Sequence, residues 1–99
     1  MYSLFYFDEV KTDVRDAKAW YKQQRIGLEK RFAESIKLAL LKIKENPFMY
    51  AVLYKNIRIA RTKVFPYNIY FYVDEISAIV IIVAIIHNKR DRSIVYKRL

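Results

Sequence analysis

From Phe65 onward, apolar and polar positions trace a strand, a turn and a second strand. Tyr67, Ile69, Phe71 and Val73 alternate with Asn68, Tyr70, Tyr72 and Asp74, the period of two of a β-strand. Asp74-Glu75-Ile76-Ser77 breaks the run and reverses the chain, as a hairpin requires. Ala78 to Ile86 is wholly apolar and mostly β-branched, which predicts a buried central strand. It runs into His87, the one histidine, and then Asn88-Lys89-Arg90-Asp91-Arg92. A stiff apolar strand ending in an imidazole and a cluster of cations can hold charged groups in fixed positions.

The first half has a different period. Tyr2 to Phe7 is short and aromatic, a strand by propensity. Val10, Val14, Ala17 and Tyr21 then lie four, three and four residues apart, one face of an α-helix. Asp8 is placed to cap it, and Trp20 to pack at the edge of its stripe. Lys11, Asp13, Arg15, Lys18 and Lys22 are expected on a solvated face. Gly27, the single glycine, falls at a joint where positive φ turns the corner. Leu28, Phe32, Ile36, Leu40 and Ile43 predict a second helix, ended near Asn46-Pro47 because proline disfavours a helical residue before it.

Phe48 to Tyr54 fits either a loop or a short strand. Ile57 to Val64 alternates as a strand whose odd positions pass from Ile57 and Ile59 to Arg61 and Lys63, apolar to cationic. Phe65-Pro66 ends its pairing. The order is β-α-α-β-β-β in a single domain over residues 1–99. This is an α+β fold: an antiparallel sheet of about four strands with a helical hairpin on one face. The long apolar strand needs cover on both faces and the hairpin supplies one. The other must be closed by sheet curvature, by the tail or by a partner.

Composition narrows the function. A 99-residue chain that is 55% hydrophobic folds as one globule with one modest core. With no cysteine there is neither a disulfide framework nor a thiolate metal site. The first residues carry no basic leader and no apolar run is long enough for a membrane helix, so a cytoplasmic protein without membrane contact is expected. Net charge is +9. Residues 1–45 hold ten basic and seven acidic residues, and residues 46–99 nine and three, so the excess, +6 against +3, sits on the strand half. That points to a polyanionic partner, nucleic acid or acidic protein.

Several chemistries lack their parts. One histidine and no cysteine make no N/S metal cluster, so no metal and no cofactor is expected. One glycine makes no phosphate loop, and the four serines show no nucleophile-elbow context. Metal-free RNA cleavage has its residue types: cations to stabilise a pentavalent phosphate, from Arg61, Lys63 and Arg90, and proton carriers in His87 or Tyr96. These five are the catalytic candidates. Lys55, Arg58, Lys89 and Arg92 suit contacts to nucleic acid or to an acidic protein. Each has a plainer reading as well: a hydrogen-bonding strand-end histidine, a packing tyrosine, cations that solvate an edge strand.

Taken in order, Trp20-Tyr21, Gly27-Leu28, Arg31-Phe32, Asn46-Pro47, Ile57-Arg58, Phe65-Pro66-Tyr67-Asn68-Ile69-Tyr70 and His87-Asn88-Lys89-Arg90-Asp91 resemble the RelE/ParE superfamily of toxins from type II toxin–antitoxin (plasmid stabilisation) systems. The Phe-Pro-Tyr block and the terminal His with downstream Arg look most like ParE. The tail from Lys89 to Tyr96 also resembles that of RelE, in which an arginine and a tyrosine take part in RNA cleavage. The resemblance implies a growth-inhibiting toxin neutralised by a cognate acidic antitoxin. Its activity is then either inhibition of DNA gyrase, as in ParE, or metal-independent, ribosome-dependent mRNA cleavage, as in RelE. Asn68 stands where RelE-type enzymes carry a strand arginine, a departure that counts against cleavage. A third reading keeps the chain as a non-toxic binding module, an antitoxin partner or co-repressor. A homodimer and a heterotetramer with the antitoxin both stay open.

Overall fold

The computed structural model describes residues 1–99. Strand β1 (Ser3–Tyr6) leads into α1 (Asp8–Gln24) and α2 (Leu28–Glu45). A single 3₁₀ turn (Pro47–Met49) follows, then β2 (Val52–Tyr54), β3 (Ile57–Arg61), β4 (Tyr67–Asp74), β5 (Ile79–His87) and α3 (Ser93–Arg98). The strands form one sheet in the order β1-β5-β4-β3-β2. The α+β arrangement is as the patterning predicts, with two refinements. The sheet has five strands, because Phe48 to Tyr54 divides into the 3₁₀ turn and the short edge strand β2. It is mixed, because β1 pairs parallel with β5 while the others are antiparallel. Parallel pairing needs a long connection, and here the rest of the fold supplies it.

The helical hairpin covers one face. Val10, Ala17 and Tyr21 of α1 and Phe32, Ile36 and Ile43 of α2 pack on Ala60, Ile69, Phe71, Val80, Ile82 and Ile85. Gly27 makes the joint at φ +91°, a conformation costly for any residue with a Cβ. Asp8 is the first residue of α1 and not its cap: Phe7 holds the cap position and no side chain bonds the free N–H groups there. Asp8 and Glu9 instead place negative charge at the positive end of the helix dipole.

The opposite face is closed by the tail. Val95 of α3 is fully buried against Ile57, Ile59, Tyr70, Val83, Ala84 and Ile86. A β-bulge makes this possible. Tyr70 pairs with Ala84 but Phe71 with Ile82, so Val83 is an extra residue in β5. Val80 and Ile82 face the hairpin, Val83 and Ala84 both face α3, and alternation resumes with Ile85 toward the hairpin.

Asp13, expected on a solvated helix face, turns its side chain inward, where it is 8% exposed. β1 pairs with β5 only as far as Ile82, leaving the β5 edge beyond it open. There the Ile85 N–H donates to the Asp13 carboxylate (3.0 Å) and Arg98 donates to the Val83 carbonyl (3.0 Å). The Arg98 guanidinium grips both Asp13 oxygens, at 2.6 and 2.7 Å. Two side chains thus extend the sheet edge where the strand stops and tie α1, β5 and α3 together. The Asp13 carboxylate holds the Arg98 guanidinium above its ordinary pKa, so the guanidinium stays charged. No helix is long and apolar enough to cross a membrane.

Candidate functional site

The candidate residues fall into three places. At the exit of β5, Tyr67 pairs across the ladder with His87, their rings 5.5 Å apart at 71°. The Asn88 N–H donates to the Pro66 carbonyl (2.8 Å) and the Arg90 N–H to the His87 carbonyl (2.9 Å), which turns the chain after the strand. Trp20, Tyr21, Tyr67, His87, Arg90 and Asp16 line a cleft of about 530 Å³ there. The Lys89 N–H donates to Nδ1 of His87 (3.1 Å), so in the neutral ring the proton sits on Nε2. In that tautomer His87 offers the cleft a donor rather than a base. Burial, together with Tyr21, pushes the Tyr67 hydroxyl above its ordinary pKa, while Arg90 draws it partly back. Tyr67 therefore stays protonated at neutral pH, a second donor in the same cleft.

Arg61 and Lys63 lie on the other side of the hairpin. Arg61 ends β3 opposite Asn68. Lys63, expected on the same strand, sits in the turn that follows, because β3 stops at Arg61. That turn is tightly wired. The Thr62 hydroxyl donates to the Phe65 carbonyl (2.7 Å), with the Tyr67 carbonyl also within its reach (3.1 Å), and the Tyr67 N–H donates to the Phe65 carbonyl (2.8 Å). Asn68 is buried and donates from Nδ2 to the Tyr70 hydroxyl (3.5 Å). It fills its position as a packing residue with one internal bond.

Tyr96, on α3, lines neither cleft. Its ring lies 4.6 Å from that of Tyr54, over the second core. Arg58 is committed internally: it donates to the Tyr50 carbonyl (2.6 Å) and stacks 5.0 Å over the Phe48 ring. Lys55 occupies the β2–β3 turn at φ 51° with its amine over Tyr54 (5.5 Å). Lys89 and Arg92 are exposed. The structure thus brings His87 together with Arg90, and Arg61 together with Lys63, in different clefts, and keeps Tyr96 apart from both.

One surface escaped the pattern. Between α1, α2 and β1 runs a groove of about 650 Å³, floored by Leu4, Val10, Val14, Ile36 and Leu40. Lys11, Arg15 and Lys18 of α1 and Lys37 of α2 rim it. Two of the four acids of α1, Asp13 and Asp16, line the His87 cleft instead. Counting charges along α1 hides this segregation. The spacing of Lys11, Arg15 and Lys18, four and three, was its visible signal.

The chain matches, over residues 4–92, the profile of the family described as "ParE toxin of type II toxin-antitoxin system, parDE". Among solved structures it is similar to one described as "Crystal structure of the isolated E. coli RelE toxin, P21 form". The TM-score is 0.67 at 16% identity, covering 99% of this chain and 98% of that one. At that identity the likeness shows a shared fold. No curated protein sequence matches the chain. A match spanning nearly the whole chain, on a fold shared with RelE, makes this protein a member of the ParE toxin family of type II toxin–antitoxin systems.

Proposed function

We propose that the protein arrests growth by binding DNA gyrase, as a toxin that cuts no nucleic acid. The observation that carries this reading is the separation of the candidate groups. Metal-free phosphodiester cleavage needs cations and proton carriers around one phosphate. Here Arg61 and Lys63 stand in one cleft, His87 and Arg90 in another, and Tyr96 is stacked on Tyr54. The observation favouring mRNA cleavage is narrower: His87, Arg90 and a protonated Tyr67 share a cleft.

As a family member the chain has an antitoxin for its partner. An acidic amphipathic segment of that antitoxin, laid in the hairpin groove, would cover its apolar floor and meet its cationic rim. Both proteins then act in the cytoplasm.

The test is a supercoiling assay with the purified full-length chain, gyrase and relaxed plasmid, run beside an mRNA-integrity assay on translating ribosomes. The proposal expects supercoiling lost and transcripts intact, with Arg90→Ala as inhibitory as the wild type. Cut transcripts that become intact with Arg90→Ala overturn it in favour of the nuclease. A chain that is harmless in cells without its antitoxin overturns it in favour of a binding module that is not toxic.

A further inference from the structure

We propose that the cleft between α2 and the 62–66 turn docks an acidic, aliphatic segment of the toxin's protein target. This rests on the reading of the protein as a binding poison and names the surface that would do the binding. The cleft measures about 560 Å³ and lies on the flank of α2 away from the hairpin groove. Three of its apolar residues stand in the open: Leu38 is 51% exposed, Met49 64% and Val64 70%. Arg31 and Lys42 of α2 face Arg61 and Lys63 across them, with Glu34 the one acid in the lining.

None of these four cations has a partner. The ion pairs of the molecule are Arg15–Asp16 and Arg98–Asp13. Exposed aliphatic side chains ringed by unneutralised cations are complementary to aliphatic side chains carried among carboxylates.

The walls are preorganised. Thr62 wires the turn that presents Lys63 and Val64. Arg58 pins the 3₁₀ segment that presents Met49, through the Tyr50 carbonyl and the Phe48 ring. α2 forms the third wall. Binding here orders no backbone, which lowers its entropic cost. Met49 is the adaptable element, able to refit to the incoming side chain.

The floor favours protein over nucleic acid. A single-strand groove offers flat aromatic rings for bases to stack on. The cleft's two aromatics are engaged inward: Phe65 is buried at 7% exposure, its ring packed on Tyr21 and Phe32 at 4.9 and 5.3 Å, and the half-buried Tyr50 sets its ring edge-on to Phe71 at 5.8 Å.

The experiment compares three full-length chains: wild type, Arg61→Glu with Lys63→Glu, and Val64→Ser. Each is purified away from its antitoxin and checked by circular dichroism. Binding is measured to antitoxin, to gyrase and to a single-stranded RNA oligonucleotide, and growth arrest is scored on induction. The charge-reversed chain is expected to bind gyrase at least about tenfold more weakly and to stop arresting growth, while antitoxin affinity stays within about threefold. Val64→Ser is expected to weaken gyrase binding about fivefold without changing its salt dependence. If the double variant does not fold, Lys63→Glu alone carries the test, since that side chain is exposed on a turn.

Growth arrest at wild-type strength by a charge-reversed chain overturns the proposal. So does an equal loss of antitoxin binding, which would hand this cleft to the antitoxin. Arrest lost together with RNA binding, with gyrase binding intact, overturns it in favour of a nucleic-acid surface. If the wild type leaves gyrase untouched, the gyrase reading falls and the growth-arrest and RNA arms still decide the cleft.

Discussion

The two faces of the sheet are covered by different means. On one, helices of 17 and 18 residues contribute six of the thirteen buried residues of the core. On the other, the six-residue α3 contributes one of seven, Val95, and a helix so short does not persist by itself in water. The first face is held by area, the second by one buried side chain and one ion pair. The comparison teaches that a short element can close a core when a polar clamp fixes its position. It also teaches that the small face is the more fragile to single changes at polar sites.

The largest effect should come from the broad face. Phe32 is fully buried among Tyr21, Phe65 and Tyr67, so Phe32→Ala should cost about 3–5 kcal/mol in urea unfolding. If that change costs no more than Val95→Ala, the faces are not held differently. Next comes the clamp. Asp13→Ala strands a guanidinium whose side chain is 13% exposed and should cost about 3 kcal/mol. Arg98→Ala added to it should cost little more, because the two residues act as one unit. Additive losses in that double-mutant cycle would show that they do not.

Val95→Ala should cost about 2 kcal/mol and loosen α3 while leaving the hairpin intact, which amide exchange can resolve.

The smallest effect is set by pH. The Ser93 N–H, donating to Asp91 at 2.9 Å, holds that carboxyl below its usual value of 3.8. A depressed carboxylate stabilises the fold above its unfolded pKa, and that support is lost as pH falls through the lowered folded value. Amide protection in α3 should therefore drop in acid below about pH 4, and Asp91→Asn should blunt the drop. Protection that does not change with pH in the wild type would show that this bond does not hold the start of α3.

The same contrast explains what the sequence disclosed. The hairpin face was legible because burial by helices and strands writes itself as periods: Val10 to Tyr21, Leu28 to Ile43, Tyr67 to Val73. The α3 face was legible only in part: the apolar strand announced that it needed a second cover, with the tail among three candidates, but not how that cover is fixed. Nothing local marks Asp13 and Arg98 as partners 85 positions apart, and a bulge at Val83 leaves no trace in a wholly apolar run. Of the candidate residues, the apolar run placed His87 at the end of β5, as the structure has it, whereas the alternation carried β3 on to Val64 and the structure ends it at Arg61. Which cleft each one enters depends on where α1 and α2 cross the sheet, and a one-dimensional pattern does not carry that.

The most direct test of the central claim, a toxin that binds its target rather than cutting transcripts, is brief induction in cells with DNA and protein synthesis pulse-labelled in parallel. The account predicts that DNA synthesis stops first, with mRNA still full-length. Protein synthesis stopping first, over fragmented mRNA, would contradict it.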